Sequence, residues 1–185
     1  MLDGLVFGRS CGECTACCTE LTIAEPELKK HAGVTCEHCT TGKGCAIYDE
    51  RPSVCRTWHC LWRLNPNMDD SWRPDKKGLI GNIMDAPAGF NGAVKFDVIG
   101  ASRVLIERST VSLISGAVAA GMAVYIGAPG RIGMAGGKSL INYALRPALE
   151  KRDLNTAKAV IQKAYHDAKA VPQVPIDLGS KAAGR

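Results

Sequence analysis

The sequence predicts an α+β protein in which an irregular, cysteine-rich amino-terminal module precedes a small mixed α/β region. The first observation behind this prediction is that all nine cysteines of the 185-residue chain lie between Cys11 and Cys60. The second is the composition: 46% apolar and 22% charged residues are typical of a globular protein and exclude a disordered chain. The third is that strand-like alternation and helical periodicity both occur after the cysteines.

Turn-forming residues divide the chain into four expected parts. The dipeptide Asn65-Pro66 begins a run of such residues, and prolines recur close to the carboxyl end. The parts are a cysteine-cluster module at 1–64, a linker at 65–78, a mixed strand and helix region at 79–170, and a flexible tail at 171–185.

Two short helices are expected in the module. Pro26–Gly33 is predicted to be helical, because proline favours the first turn of a helix and glycine the position just past its end. A second helix is predicted to begin at Pro52 and to continue through Val54, Trp58 and Trp62.

The mixed region is expected to open with two strands. Residues 79–84 and 93–99 alternate apolar and polar side chains, with a glycine- and proline-containing loop between them. Residues 109–130 carry no charged side chain, which raises the alternative of a membrane span. Serine, glycine and proline dilute this run, so we expect a buried helix at about 107–120 that leads into a strand at 123–126.

The last part of the mixed region is expected to be mainly helical. Residues 131–135 predict one more strand, and residues 139–145 and 147–151 predict helical turns, with Pro147 as a kink or break. The final helix, at about 155–170, places its apolar residues on one face.

The amino-terminal sequence predicts a cytoplasmic protein. It has Asp3 where a secretion signal has basic residues, and it lacks the apolar run and cleavage site of such a signal. In a reducing compartment, clustered cysteines indicate metal or redox chemistry more often than disulfides. The odd number of cysteines and the adjacent pair Cys17-Cys18 also argue against a disulfide framework.

The charge distribution argues against a nucleic-acid partner, and we expect a protein partner and no membrane. The net charge of +5 comes from the part after residue 62, since residues 1–62 contain more acidic than basic side chains. The basic residues of the later part are dispersed and form no long run, which is typical of a solvated surface.

The spacing of the cysteines makes all nine candidate metal ligands. They form a quartet, a looser trio and a pair, namely Cys11-x2-Cys14-x2-Cys17-Cys18, Cys36-x2-Cys39-x5-Cys45 and Cys55-x4-Cys60. Two-residue gaps let a tight turn bring successive sulfurs to one centre, which suits three corners of a [4Fe–4S] cluster. Zinc is the alternative, because two spaced pairs can supply a closed tetrahedral site. Nine cysteines can also fill two four-coordinate centres, with one left over.

The quartet, together with the stretch Cys45-Ala-Ile-Tyr-Asp-Glu-Arg-Pro-Ser-Val-Cys55-Arg, resembles the CxxCxxCC cysteine-cluster family. That family is described as a zinc- or iron-chelating domain, and some members resemble flagellin lysine N-methylases, for which an iron–sulfur centre is implied. The resemblance covers about residues 11–62. It implies core ligands at the quartet, Cys45 and Cys55, whereas Cys36, Cys39 and Cys60 lie where family members vary more.

Several other side chains of the module have two interpretations. On the helix predicted from Pro52, His59 is four residues after Cys55 and is a possible ligand, or else a partly exposed histidine. Arg51 and Arg56 could offset thiolate charge or simply be exposed. Aromatic side chains such as Trp58 could shield a metal centre from water, or form the small core of the module.

Three functions are compatible with this sequence. The first is an iron–sulfur protein for electron transfer, redox chemistry or sensing. The second is a zinc-stapled interaction module without catalysis. The third is an enzyme, or an accessory subunit of one, that modifies a protein or peptide with the cluster as cofactor. No pattern in the sequence identifies a catalytic residue.

Overall fold

The computed structural model describes residues 4–179, and it divides the cysteine-bearing part of the chain into short elements. In chain order these are α1 (Ala16–Glu20), β1 (Ile23–Glu25), β2 (Leu28–Lys30), β3 (Cys39–Thr40), β4 (Gly44–Cys45), α2 (Ser53–Thr57) and α3 (Leu61–Leu64). β1 pairs with β2 and β3 with β4, each as an antiparallel hairpin. Helices this short are not stable alone, so tertiary contacts determine where these elements lie.

The helix predicted at residues 26–33 is wrong, because this segment belongs to a hairpin. Ile23 pairs with Lys30 and Glu25 pairs with Leu28, which leaves Pro26 and Glu27 as the turn. Proline has the backbone angle that the first corner of a β-turn requires. The strand alternation of β2 buries the side chains of Leu28 and Lys30, which a short helix would not do as well.

The single helix predicted from Pro52 through Trp62 is also wrong. α2 ends at Thr57, and Trp58 and Cys60 have extended backbone before α3 begins. Tryptophan and β-branched residues are poor helix formers, which favours a break at this point. His59 therefore lies in an extended connection and does not share a helix face with Cys55.

The segment predicted as a linker contains two helical turns and packs against the module. These are a 3₁₀ turn (Asp70–Trp72) and α4 (Pro74–Lys77). Met68 is buried, and the indole Nε1 of Trp62 donates a hydrogen bond to the carbonyl of Asp69 at 2.9 Å. These contacts fix the path of the chain from α3 to the main sheet.

The main sheet has four strands in the order β5–β6–β7–β8. They are β5 (Leu79–Met84), β6 (Ala93–Val98), β7 (Ala123–Ala128) and β8 (Gly137–Leu140). β6 and β7 are parallel, whereas the two outer pairs are antiparallel. The two strands predicted at 79–84 and 93–99 are confirmed, and the strand predicted at 123–126 continues to Ala128.

Helices pack on one face of this sheet and form the main core. They are a 3₁₀ helix (Ser102–Ile106), α5 (Arg108–Ala119), α6 (Asn142–Glu150) and α7 (Leu154–Ala170). Phe96 and Ile126 of the sheet meet Ile114, Leu145 and Ile161 of the helices. The α+β class and the helices predicted at 107–120 and 155–170 are confirmed. None of the helices within residues 4–179 has the length and apolar character needed to span a bilayer.

The end of the mixed region differs from the prediction at three places. Residues 131–135 form a turn rather than a strand. Of the helix predicted at 139–145, residues 139–140 belong to β8 (Gly137–Leu140) instead, and the helix α6 begins at Asn142. The glycines around this turn allow the tight reversal between β7 and β8. Pro147 lies inside a continuous α6 rather than at a break, although it removes one backbone hydrogen bond of the helix.

The described part of the predicted tail pairs with the turn before β8. The amide of Ala135 donates to the carbonyl of Val174, and the amide of Ile176 donates to that of Gly133, each at 2.8 Å. Residues 174–176 are therefore held in place. The rest of the predicted tail, residues 180–185, lies outside the described residues.

The module contacts the sheet at its edge strand, β5, on both faces. On the helix-covered face, Leu61 of α3 packs against Gly81, where a Cβ would lie only 2.7 Å from that of Leu61. On the opposite face, Ile80 forms a second small core with Cys14 and Ala16. Successive residues of a strand point to opposite faces, so β5 lies between two parts of the module.

Candidate metal centre

Eight of the nine cysteines line one cavity of about 200 Å³. A space of about 10–15 Å³ already holds a water molecule, so this cavity can admit a group of many atoms. All nine cysteines are free thiols. Cys39 does not line the cavity. The eight cysteines that do are Cys11, Cys14, Cys17, Cys18, Cys36, Cys45, Cys55 and Cys60.

The wall between these thiols is mainly apolar. Leu28, Val54, Trp58 and Ile80 belong to it. Because such a wall keeps water away from the sulfurs, it disfavours the thiolate form. Burial accordingly raises the pKa of Cys14 to about 11 and is also the main cause that raises the pKa of Cys45, Cys55 and Cys60.

Mutual repulsion among six thiols adds to the effect of burial. The hydrogen bond with Cys17 is the largest cause that raises the pKa of Cys18, followed by burial. Burial and then the charge of Cys18 raise the pKa of Cys39 to about 11. This thiol group comprises Cys17, Cys18, Cys36, Cys39, Cys45 and Cys55.

The backbone brings this thiol group together from distant parts of the sequence. The amide of Cys36 donates to the carbonyl of Cys18 at 2.9 Å, which ties the trio to the quartet. Cys39 and Cys45 are directly opposite each other across the hairpin β3–β4. Short elements thus carry most of these thiols: α1 carries Cys17 and Cys18, α2 carries Cys55, and the hairpin β3–β4 carries Cys39 and Cys45.

A close approach of two glycines places the first loop of the quartet against this hairpin. Gly44 has a φ of +97°, a conformation that residues with a Cβ rarely adopt. A Cβ at Gly44 would also lie only 2.2 Å from the carbonyl oxygen of Gly12. Glycine at position 44 thus lets the loop that begins at Cys11 approach the strand that carries Cys45.

Lys30 is a buried cation beside the thiol group. Lys30 is only 5% exposed, and its ammonium donates hydrogen bonds to the carbonyls of Thr19, Leu21 and His31. Burial lowers the pKa of Lys30. The charges of nearby cysteines oppose that shift, and Cys36 has the largest opposing effect. The three carbonyls and the thiols together stabilise the charged amine.

Arg63 is a second buried cation, located where α3 reaches the cavity. The residue is 6% exposed, and its Nη1 donates to the Cys11 Sγ at 3.3 Å and to the Tyr48 hydroxyl at 3.2 Å. The amide of Cys11 also donates to the Tyr48 hydroxyl, at 3.4 Å. Burial is the largest influence on the pKa of Arg63, but the hydrogen bonds with Tyr48 and Cys11 outweigh it and raise the pKa.

Cys14 has an acidic neighbour outside the cavity. Asp75 forms a hydrogen bond with the Cys14 side chain, and the Arg73 guanidinium binds the Asp75 carboxylate through Nε at 2.7 Å and Nη2 at 2.9 Å. The hydrogen bond from Arg73 is the main reason why the pKa of Asp75 is lowered. These contacts join the first cysteine loop to α4.

The other predicted site residues have different positions. Arg51 lines the cavity, stacks on the Tyr48 ring at 3.7 Å and donates to the Tyr48 carbonyl at 2.6 Å. His38 and His59 also line the cavity, and burial is the main cause that lowers the pKa of His59. Arg56 is exposed and is not among the lining residues.

Sequence analysis missed the two buried cations, Lys30 and Arg63. Lys30 lies in a segment whose helical prediction was wrong, and only the alternation with Leu28 could have shown that its side chain points inward. Arg63 follows two tryptophans and belongs to no cysteine motif. Both residues reach the cysteines through tertiary contacts, which spacing along the chain does not reveal.

The chemistry of these donors fits a thiolate-bound metal, because thiolates are preferred ligands of zinc and of iron–sulfur clusters. Within residues 4–179, no three Cys, His, Asp or Glu side chains form a group that could hold a metal ion. The chain matches no protein-family model, no curated protein and no solved structure. The resemblance to the CxxCxxCC family stays a prediction.

Proposed function

We propose that this chain is a metal-binding protein that holds an iron–sulfur cluster, of the [4Fe–4S] type, for electron transfer, redox chemistry or sensing. The observation that carries the proposal is that eight free thiols from three separate sequence groups line one cavity. Chance burial of cysteines in a core would not gather them around a common space.

The raised pKa values support a cationic occupant. Burial raises the pKa of Cys45 and Cys55, and the hydrogen bond with Cys17 raises that of Cys18, so the thiolate form of each is disfavoured. A metal ion reverses this balance, because its charge stabilises the thiolates that bind it. Metal binding should therefore release protons and relieve the repulsion within the thiol group.

The size of the site favours an iron–sulfur cluster over a single zinc ion. Zinc bound by four thiolates at about 2.3 Å draws its sulfurs into a closed tetrahedron with little space between them. The cavity measures about 200 Å³ and is lined by twice the four thiols that such a site needs. A [4Fe–4S] cluster also binds four thiolates, so the volume of the cavity, and not the number of its sulfurs, favours the cluster.

The residues of the chain would have distinct roles in such a centre. The ligands would come from Cys11, Cys14, Cys17, Cys18, Cys45 and Cys55, as the family resemblance implies, with Cys36 and Cys60 also within the cavity wall. Trp58 and Ile80 would exclude water, which shifts the reduction potential. When bound, the cluster supplies one-electron chemistry.

The test is purification without oxygen, followed by measurement of iron, zinc, acid-labile sulfide and the visible and electron paramagnetic resonance spectra. We expect iron and sulfide in equal amounts, about four of each per cluster, and a brown protein whose colour bleaches on reduction. A colourless protein with stoichiometric zinc would establish the zinc module instead. Absence of both metals, even after reconstitution with iron and sulfide, would overturn the proposal.

We also propose a cytoplasmic location and a protein partner. The nine free thiols support a reducing compartment, and a redox centre needs a donor or acceptor of electrons. Cell fractionation with a thiol-reactive mass tag tests the location. Recovery of the protein as disulfides from an oxidising compartment would contradict it.

A further inference from the structure

Arg63 is a buried cation that lacks a full set of partners. Its Nη1 has two acceptors, the Cys11 Sγ and the Tyr48 hydroxyl, but its Nε is buried without a hydrogen-bond partner. Within residues 4–179, no carboxylate forms an ion pair with this guanidinium. A buried charge without a partner of opposite sign costs several kcal/mol, so this arrangement calls for an anion.

Three other arginines near the module are satisfied by the chain itself. Arg9 donates to the carbonyls of Trp62, Asn65, Pro66 and Met68 and lies over the Trp62 ring. Arg73 forms a bidentate pair with Asp75, and Arg51 has the Tyr48 carbonyl and ring. Arg63 differs from these three because a buried N–H of its guanidinium is left over.

Arg63 lines the cavity, so an anionic partner for its charge is expected there. The one acidic residue among the described lining residues is Glu25, which is exposed. The anionic groups that the cavity wall can itself provide close to Arg63 are the thiolates of Cys11 and Cys60, whose charges interact with this arginine. A metal-bound thiolate or sulfide supplies the same kind of acceptor.

We propose that Arg63 is the charge-compensating positioning residue of the metal centre. Its Nη1 donates to the Cys11 Sγ, and its positive charge offsets that of the Cys11 thiolate when the metal is bound. This inference rests on the proposed function and adds one residue that no cysteine motif contains. Arginine suits the role because it stays charged when buried and offers several N–H donors in a fixed plane.

The test compares Arg63→Gln and Arg63→Lys with Arg56→Gln, an exposed arginine next to Cys55 in sequence. Iron per chain and the midpoint potential are measured for each protein by metal analysis and redox titration. Loss of the Arg63 charge should make reduction harder, so we expect a lower potential in Arg63→Gln. Arg63→Lys should recover most of the wild-type value, and Arg56→Gln should match the wild type.

The outcomes separate this inference from the proposed function. A wild-type protein without iron and sulfide fails the proposed function before Arg63 is tested. An iron-loaded Arg63→Gln with the potential of the wild type overturns the role of Arg63 alone. If Arg63→Gln does not fold, Arg63→Lys decides: a folded, loaded protein near the wild-type potential supports charge compensation, and a clearly lowered potential contradicts it.

Discussion

At the level of single residues, Cys39 and Cys45 form a matched pair. They face each other across the hairpin β3–β4, but Cys45 lines the cavity and Cys39 does not. We expect Cys45→Ser to lower the iron bound per chain and Cys39→Ser to leave it near the wild-type value. Anaerobic purification with iron and sulfide analysis measures both variants, and circular dichroism checks their folding. An equal loss in the two variants would make Cys39 a ligand.

Asn142 has a structural role that can be tested separately from the metal. It is 1% exposed, and its side chain accepts from the Val124 amide at 2.8 Å and donates to the Met122 carbonyl at 2.7 Å. Asn142→Ala leaves two backbone groups unpaired, which should lower the free energy of unfolding by about 2–4 kcal/mol. Urea denaturation followed by circular dichroism measures this change.

Asn91→Ala is the control for this prediction. Asn91 is exposed, and its amide donates one hydrogen bond, to the Ala120 carbonyl at 3.3 Å. Its loss should cost less than about 1 kcal/mol. If the two variants were destabilised to the same degree, the paired backbone contacts of Asn142 would not explain its effect.

The sequence predicted the cysteines that line the cavity but not the buried cations beside them. Cysteine spacing is a local property, and eight of the nine predicted ligands line the cavity. Lys30, Arg63 and Asn142 have ordinary sequence neighbours, and their importance comes from burial that only the folded chain creates. A buried polar residue is informative, but its burial has to be known first.

At the level of elements, the contact between α3 and β5 depends on the absence of a side chain at position 81. A Cβ on Gly81 would lie 2.7 Å from the Leu61 Cβ and 3.4 Å from the Phe96 ring. Gly81→Ala should therefore overpack this contact and destabilise the protein by about 1–3 kcal/mol. The free energy of unfolding from guanidinium titration measures the effect.

Gly116→Ala provides a control with the opposite expected sign. Gly116 lies inside α5 and is exposed, and a Cβ added there would meet nothing within 4 Å beyond its own helix. Alanine in place of glycine in a helix interior should stabilise the protein by about 1 kcal/mol. Stabilisation by both substitutions would show that α3 can move away from β5 without cost.

The start of α7 predicts a dependence of stability on pH. The Asp153 side chain accepts hydrogen bonds from the amides of Asn155 and Thr156 and from the Thr156 hydroxyl. These hydrogen bonds lower the pKa of Asp153, and the two from Thr156 have the largest effect. A carboxyl whose pKa is lowered by folding contributes stability above its ordinary pKa of about 3.9, and this contribution is lost as the pH falls through its folded value.

Asp153→Ala should therefore lower the Tm at pH 7, and the difference from the wild type should shrink below about pH 4. Asp167→Ala, in the same helix, removes an exposed pair with Lys163 and should have a smaller effect at pH 7. Calorimetric scans between pH 2 and pH 7 measure both. A difference for Asp153→Ala that stays constant with pH would contradict capping by the carboxylate.

Elements with enough residues to show a period were predicted well, and very short ones were not. The alternation of β5 and β6 and the uncharged run of α5 extend over six residues or more. The pattern at residues 26–33 is short enough to fit either a helical turn or a hairpin, and packing of Leu28 and Lys30 selected the hairpin. Prediction thus failed where tertiary contacts rather than local propensity decide the structure.

At the level of the whole molecule, the two parts of the chain are stabilised by different means. The helix-covered sheet has an apolar core that includes Phe96, Ile126, Leu145 and Ile161. The module instead consists of elements of two to five residues around a cavity lined by thiols. A small core with the sheet consists of Ile80, Cys14 and Ala16, with a few partly buried neighbours, and Leu61 and Trp62 of α3 join the main core.

This difference predicts that removal of the metal loosens the module and spares the sheet. The proposed centre would cross-link sequence groups that short elements alone hold together, so its binding free energy would act as local folding free energy. After oxidation and chelation, we expect faster amide hydrogen exchange within residues 11–64 and unchanged exchange in β6, β7 and α7. Mass spectrometry of peptic peptides measures both regions in one experiment.

The double variant Cys17→Ser, Cys18→Ser is the matched control, because it removes two proposed ligands without any chelator. Its exchange pattern should resemble that of the chelated wild type, and chelation of the variant should add little. Loss of protection across the whole sheet would mean that the module and the sheet fold as one cooperative unit. Unchanged exchange in residues 11–64, after a verified loss of metal, would show that the module holds its structure without the metal.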